Sequence, residues 1–207
     1  MPATVTAWLL TAPSRGRILR AALRSIHASD LPPPRVFTDP GGPPFPPALR
    51  IVRAFRALLT AAVKETRAPW ILCLEDDIAV HPHIRQQLHR WPPFVSGKIR
   101  TFASLYNPSL PCAPRTRPAR TWFRAHPGHY FGAQALLIAR DFARHALAQW
   151  DTVTGMQSRR LATLAARDFP HAPLYIHRPA LVQHTGKTST WGAPPHTAPD
   201  FDPAELA

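Results

Sequence analysis

Lysine is nearly missing from this 207-residue chain. Lys64, Lys98 and Lys187 are the only three, so a formal charge of +13 and a pI of about 11.4 rest almost wholly on arginine. Acidic residues number 12 against 25 basic ones, a field that favours polyanions such as nucleic acid, nucleotide phosphates or an anionic surface. Cysteine is scarce too. Cys73 reads as a small buried hydrophobe and Cys112 as a loop thiol. Two such residues make no disulfide framework, which fits a reducing compartment and sets the expectation of a cytoplasmic protein. No apolar run approaches the length of a membrane span. Val5–Leu10 is too short for a secretory signal and lacks the positive region that precedes one. GxGxxG, GxxxxGK[ST] and internal repeats are all absent, which removes the Rossmann dinucleotide site, the Walker loop and solenoid architectures. His81-Pro82-His83 has no second ligand pair at zinc spacing.

What is present is a globular composition, 45% hydrophobic and 18% charged, on a length that suits one domain. The chain is organised around Trp70-Ile71-Leu72-Cys73-Leu74-Glu75-Asp76-Asp77, a buried-strand pattern driving into three carboxylates. Strand alternation places Glu75 and Asp77 on one face and Asp76 on the other. Crowded acids at the end of a buried strand are costly without a cation or a row of donors. Adjacent hard oxygen ligands suit Mg²⁺ or Mn²⁺, and in an open α/β sheet ligands gather at the carboxyl ends of strands.

The rest of the chain supplies such a sheet. Val5–Leu10 is a first strand, Thr11–Gly16 a loop, and Ile18, Leu19, Ala22, Leu23 and Ile26 fall at helical spacing. Arg15 at the head of that helix either meets a phosphate or sits solvated on the first turn. Asp39 ends a short second strand from Arg35, placed either to accept from a ribose or base or to cap the turn before Pro40-Gly41-Gly42. Leu49–Val63 is a helix pattern leading into the acidic strand, and the β-α-β-α-β order predicts a parallel sheet. A helix from Pro82 through Leu88, a strand over Ile99–Tyr106, the strand Ala135–Ile138, helices over Asp141–Trp150 and Gln157–Ala166, and short β-prone runs at Leu174–Ile176 and Ala180–His184 complete the series. Between them, residues 107–127 read as a long basic loop carrying Arg115, Arg117, Arg120 and Arg124 with Trp122 and Phe123. Arginine with aromatic side chains holds phosphates and stacks bases or sugars. Residues 193–207 are proline-rich and read as a peripheral tail.

Three stretches together resemble GT-A glycosyltransferases. Leu74-Glu75-Asp76-Asp77 is similar to that family's DxD-type metal motif. Phe131-Gly132-Ala133-Gln134-Ala135-Leu136-Leu137-Ile138 is like the strand that faces donor sugar and acceptor. Arg178-Pro179-Ala180-Leu181-Val182-Gln183-His184-Thr185-Gly186 with Ser189-Thr190-Trp191 resembles the P-S-L-V-x-H-x-G…S ending of several such families. The resemblance implies a single α/β, Rossmann-like domain over residues 1–192, with a mostly parallel central sheet flanked by helices. It implies a nucleoside-diphosphate sugar donor, a UDP-sugar first, and Mn²⁺ or Mg²⁺ held by Asp77, Glu75 and His184. Thr11, Arg15, Asp39 and Asp76, with Gly132, Ala133 and Gln134, would bind the donor. Asp151 stands where an acceptor-side base is placed, or else caps the helix that follows. The sequence departs from D-x-D in opening with Glu75. The charge and the arginines at 115, 117, 120 and 124 would suit a polyanionic acceptor, such as hydroxymethylated DNA or a glycan at an anionic surface. The other readings are a lipid-linked or envelope glycan acceptor, a nucleotidyltransferase, and a non-catalytic basic module that binds nucleic acid.

Overall fold

A computed structural model describes residues 4–41, 45–107, 121–187 and 196–202. Its first strand, β1 (Val5–Thr11), pairs in parallel with β2 (Arg35–Thr38) on one side and β3 (Trp70–Glu75) on the other. The intervening helices go to opposite faces. α1 (Gly16–His27) buries Ala22 and Ile26 with Ala7, Leu9, Leu72 and Leu74. α2 (Pro47–Glu65) buries Val52, Phe55, Leu58 and Leu59 with Trp8, Leu10, Ile71 and Cys73. Alternate residues of β1 and β3 therefore feed two apolar layers, which is why β3 is buried along its apolar length. Because the chain leaves β1 in one direction and returns on its other side, a crevice opens beyond the carboxyl ends of β1 and β3.

The expected α/β class holds: a seven-stranded, mostly parallel sheet flanked by helices, in the order β2-β1-β3-β7-β5-β8-β6. Two strands of the sheet run antiparallel to the rest. β7 (Ala135–Ala139) is antiparallel to both β3 and β5 (Phe102–Ser104). β6 (Trp122–Ala125) is antiparallel to β8 (Leu174–His177) at the sheet edge. The inversion of β7 brings its lead-in, Gly132–Gln134, to the carboxyl end of β3, where Glu75 N–H donates to the Gln134 carbonyl at 3.1 Å. Gly132 has φ +104°, a conformation that L side chains rarely adopt.

Past the acids the chain does not simply loop away. β4 (Ile78–Val80) forms a separate antiparallel ladder with β9 (Val182–His184), pairing Ile78 with His184. The short helices α3 (Ile84–Arg90), begun two residues later than the Pro82 signal, and α4 (Pro92–Val95) pack Ile84, Leu88 and Phe94 under the α1 side. α5 (Arg140–Ala148) and α6 (Gln157–Asp168) cover the α2 side. Residues 196–202 are not peripheral. Ala198 and Phe201 are buried with the β4–β9 ladder, and the Gln183 amide both donates to the Ala198 carbonyl and accepts from its N–H. No helix among the described residues is long and apolar enough to cross a membrane.

Candidate active site

The crevice beyond β1 and β3 is a cleft with a cavity volume of about 300 Å³. All three acids line it. The predicted alternation fails because β3 stops at Glu75, so Asp76 and Asp77 belong to a turn and swing to the same side. Asp76 is 4% exposed and accepts from Thr11 Oγ1 at 2.6 Å and from Arg15 Nε at 2.8 Å. Arg15 Nη2 reaches Asp77 Oδ2 at 2.7 Å, so one guanidinium spans both carboxylates. This explains why an arginine stands at the head of α1: it offsets part of the acid cluster.

The β4–β9 ladder places His184 beside the last acid. Thr185 N–H donates to the Asp77 carbonyl at 2.8 Å, and His184 Nε2 lies 3.5 Å from Asp77 Oδ2. That separation is an ion-pair distance, long for a strong hydrogen bond. Gly186 closes the corner. A Cβ there would fall 2.5 Å from His184 Nε2 and 2.8 Å from Asp77 Oδ2, so no larger residue fits.

Charge is finely divided among these groups. Burial, then the charges of Asp77 and Asp76, push Glu75 up to about 8, against the pull of His184 and a hydrogen bond from Gln157 at 3.1 Å. Burial alone would raise Asp77, but His184 and Arg15 outweigh it and hold that carboxylate below its usual range. His184 is likewise opposed by burial but raised on balance by Asp77. Buried polar atoms are rarely left without a partner, yet Asp77 Oδ1, Gln134 Oε1, Gln157 Oε1 and Ser158 Oγ all are, and their four residues line this one cleft.

Thr11, Arg15, Asp39, Glu75, Asp76, Asp77, Gly132, Ala133, Gln134 and His184, expected from sequence to share a site, all line the cleft. Asp39 follows β2 beside Thr11, its N–H donating to the Thr11 carbonyl at 2.8 Å and its carboxylate accepting from Arg50 Nη2 at 3.1 Å and from the Gly41 N–H. Asp151 does not join them. It sits in a 3₁₀ turn, its side chain 75% exposed, in a two-point pairing with Arg56 outside the cleft. Trp122 and Arg124 are on β6 rather than in a loop, where Arg124 stacks over Trp122 and Tyr175. Arg115, Arg117 and Arg120, like Cys112 and Ser189–Trp191, lie outside the described residues. Sequence reasoning missed Gln157 and Ser158 at the start of α6, and His196, whose ring stacks on His184 at a centroid distance of 4.9 Å. Their only advance signal was polarity at the buried end of an apolar helix and a histidine inside a proline-rich stretch.

Among the described residues no three His, Cys, Asp or Glu side chains converge as a ready-made ion cage. Asp77 and His184 nonetheless offer a buried free carboxylate oxygen and a ring nitrogen held apart at a corner that only glycine permits. That donor set fits a hard divalent cation taking its remaining ligands from water and a substrate phosphate.

No family model and no curated protein matches the chain. Among solved structures it is similar to a glycosyltransferase involved in the glycosylation of the major capsid of PBCV-1. That likeness covers 90% of this chain and 95% of the other at 14% identity, with a TM-score of 0.47, too loose to carry an argument about either fold or chemistry.

Proposed function

We propose that the protein is a glycosyltransferase that moves a sugar from a nucleoside diphosphate, a UDP-sugar first, to a hydroxyl acceptor, with Mn²⁺ or Mg²⁺ held at Asp77 and His184. The observation that carries this reading is the set of unpartnered polar atoms around the acids. Asp77 Oδ1 awaits a cation, while Gln134, Gln157 and Ser158 await a ligand rich in hydroxyl groups. The remaining lining divides accordingly. Thr11, Asp39 and Arg50 lie on the β1–β2 side and would take the nucleoside. Arg15, at the amino end of α1, would take the diphosphate, giving up part of its hold on Asp76 and Asp77. A bound cation would stabilise the charge that develops on the departing diphosphate. Gln134 and Gln157 would orient the sugar, and the backbone at Gly132 allows it close approach. Asp151, outside the cleft, has no place in this step. The net charge of +13 supports a polyanionic acceptor such as hydroxymethylated DNA. Binding of such DNA that weakens steeply with salt, together with sugar transfer, would support that acceptor, and the absence of both would remove it.

The decisive experiment is thermal unfolding with UDP, GDP, CDP and TDP, each with and without Mn²⁺. One nucleotide at about 100 times its Kd should stabilise the fold by about 2.7 kcal/mol, a shift of roughly 5–10 °C. The shift should require the metal and vanish in Asp77→Ala. No nucleotide response at saturating Mn²⁺ would overturn the reading.

A further inference from the structure

We infer that Tyr106 and the segment 196–202 form a clamp that orients His184, making Tyr106 a positioning residue for the cation corner. This rests on the glycosyltransferase reading only for what the corner binds. The clamp itself is built from residues that reading does not use.

Tyr106 follows β5 and is fully buried. Its backbone is pinned by Ser104, whose hydroxyl donates to the Tyr106 carbonyl at 2.6 Å and accepts from the Tyr106 N–H and from Tyr130 Oη. The phenol is therefore held from behind, and its oxygen meets His196 twice, at Nδ1 (2.6 Å) and at the backbone carbonyl (3.1 Å). That same carbonyl faces His184 Nδ1 at 3.0 Å. A carbonyl can only accept, so His184 carries its proton on Nδ1, and in the neutral ring Nε2 presents a lone pair towards Asp77. The His196 ring lies along the His184 ring, which opposes rotation. From the far end, Gln183 and the burial of Phe201 anchor the segment. A histidine that binds a cation is usually fixed through its other nitrogen in this way, and loss of the fixing partner costs about 10–100-fold in affinity.

The test is Tyr106→Phe, which deletes one hydroxyl and keeps the ring. Mn²⁺ affinity, read by electron paramagnetic resonance titration without any turnover, should fall about 10–100-fold. The ¹⁵N spectrum of His184 should change from a single Nδ1–H tautomer to a mixture. Phe201→Ala, which releases the segment from its other end and is not itself a cleft-lining residue, should do the same. Both variants should keep the wild-type circular dichroism spectrum and a single cooperative unfolding transition, which general damage to the fold would not allow. Wild-type Mn²⁺ affinity and an unchanged tautomer in folded Tyr106→Phe and Phe201→Ala would overturn the clamp. A wild-type protein that binds no Mn²⁺, yet whose His184 tautomer responds to both variants, would keep the clamp and sink the glycosyltransferase reading.

Discussion

A single methyl group at Gly186 should silence the site while leaving the fold in place. In Gly186→Ala the new carbon would sit 2.5 Å from His184 Nε2, 2.8 Å from Asp77 Oδ2 and 3.1 Å from His184 Cε1. Ordinary contact begins near 3.4 Å, so the nitrogen must recede by about 0.9 Å and the oxygen by about 0.6 Å. Neither group has a free path. The His184 ring is stacked on His196 and tied through Nδ1, and Asp77 Oδ2 is gripped by Arg15. The strain should cost about 1–3 kcal/mol, a few degrees in Tm. The functional loss should be far larger. Cation sites tolerate about 0.2 Å in ligand distance, and a misplacement near 1 Å costs about 10²-fold. Circular dichroism of Gly186→Ala should show an intact fold that melts cooperatively, while calorimetric titration of Mn²⁺ and UDP should show metal-dependent nucleotide binding weakened by at least about 10²-fold. Undiminished metal-dependent binding in this variant would refute the placement of the cation between Asp77 and His184.

Two further predictions concern groups outside that corner. His177 is 2% exposed, its Nδ1 donates to the Pro179 carbonyl, and burial lowers it to about 4 from 6.5. A depressed histidine favours the fold when neutral, so its contribution is complete above pH 6.5 and is lost as pH falls towards 4. Urea unfolding at pH 5 should show roughly 2 kcal/mol less stability from this group than at pH 7, a loss that His177→Gln should largely lack. A wild type and variant with parallel pH profiles would contradict this. Asp151→Ala removes only an exposed pairing with Arg56, so stability should change by less than about 1 kcal/mol and donor-dependent transfer should persist. Abolished transfer with donor binding intact would return Asp151 to the acceptor side.

The parts of the fold with a strong period or an unbroken apolar run were readable in advance. β1, β3, β7, α1, α2 and α6 fall within a few residues of where their patterns put them. Strand direction was not readable, because a fully buried strand such as Ala135–Ala139 carries the same apolar composition whichever way it runs. The acids were legible as a cluster, but not their common orientation, which depends on β3 ending at Glu75. The basic loop reading failed at Trp122 and Arg124 because their partner strand, β8, lies some fifty residues further on. The role of 196–202 was hidden for a different reason. Its proline-rich composition lacks any period, and its burial depends on two residues, Ala198 and Phe201, meeting a ladder formed elsewhere.

Arg15 has a consequence for assembly. An acid cluster compensated only by a metal would tie folding to metal supply, as in domains that collapse when chelated. Here a guanidinium built into the chain spans Asp76 and Asp77, and the Thr11 hydroxyl completes the support. The polypeptide thus carries an internal counter-ion for its own site. It can fold in a metal-poor environment and keep its core intact in a chelator, and under the proposed function the cation and donor would load afterwards, in a step separate from folding.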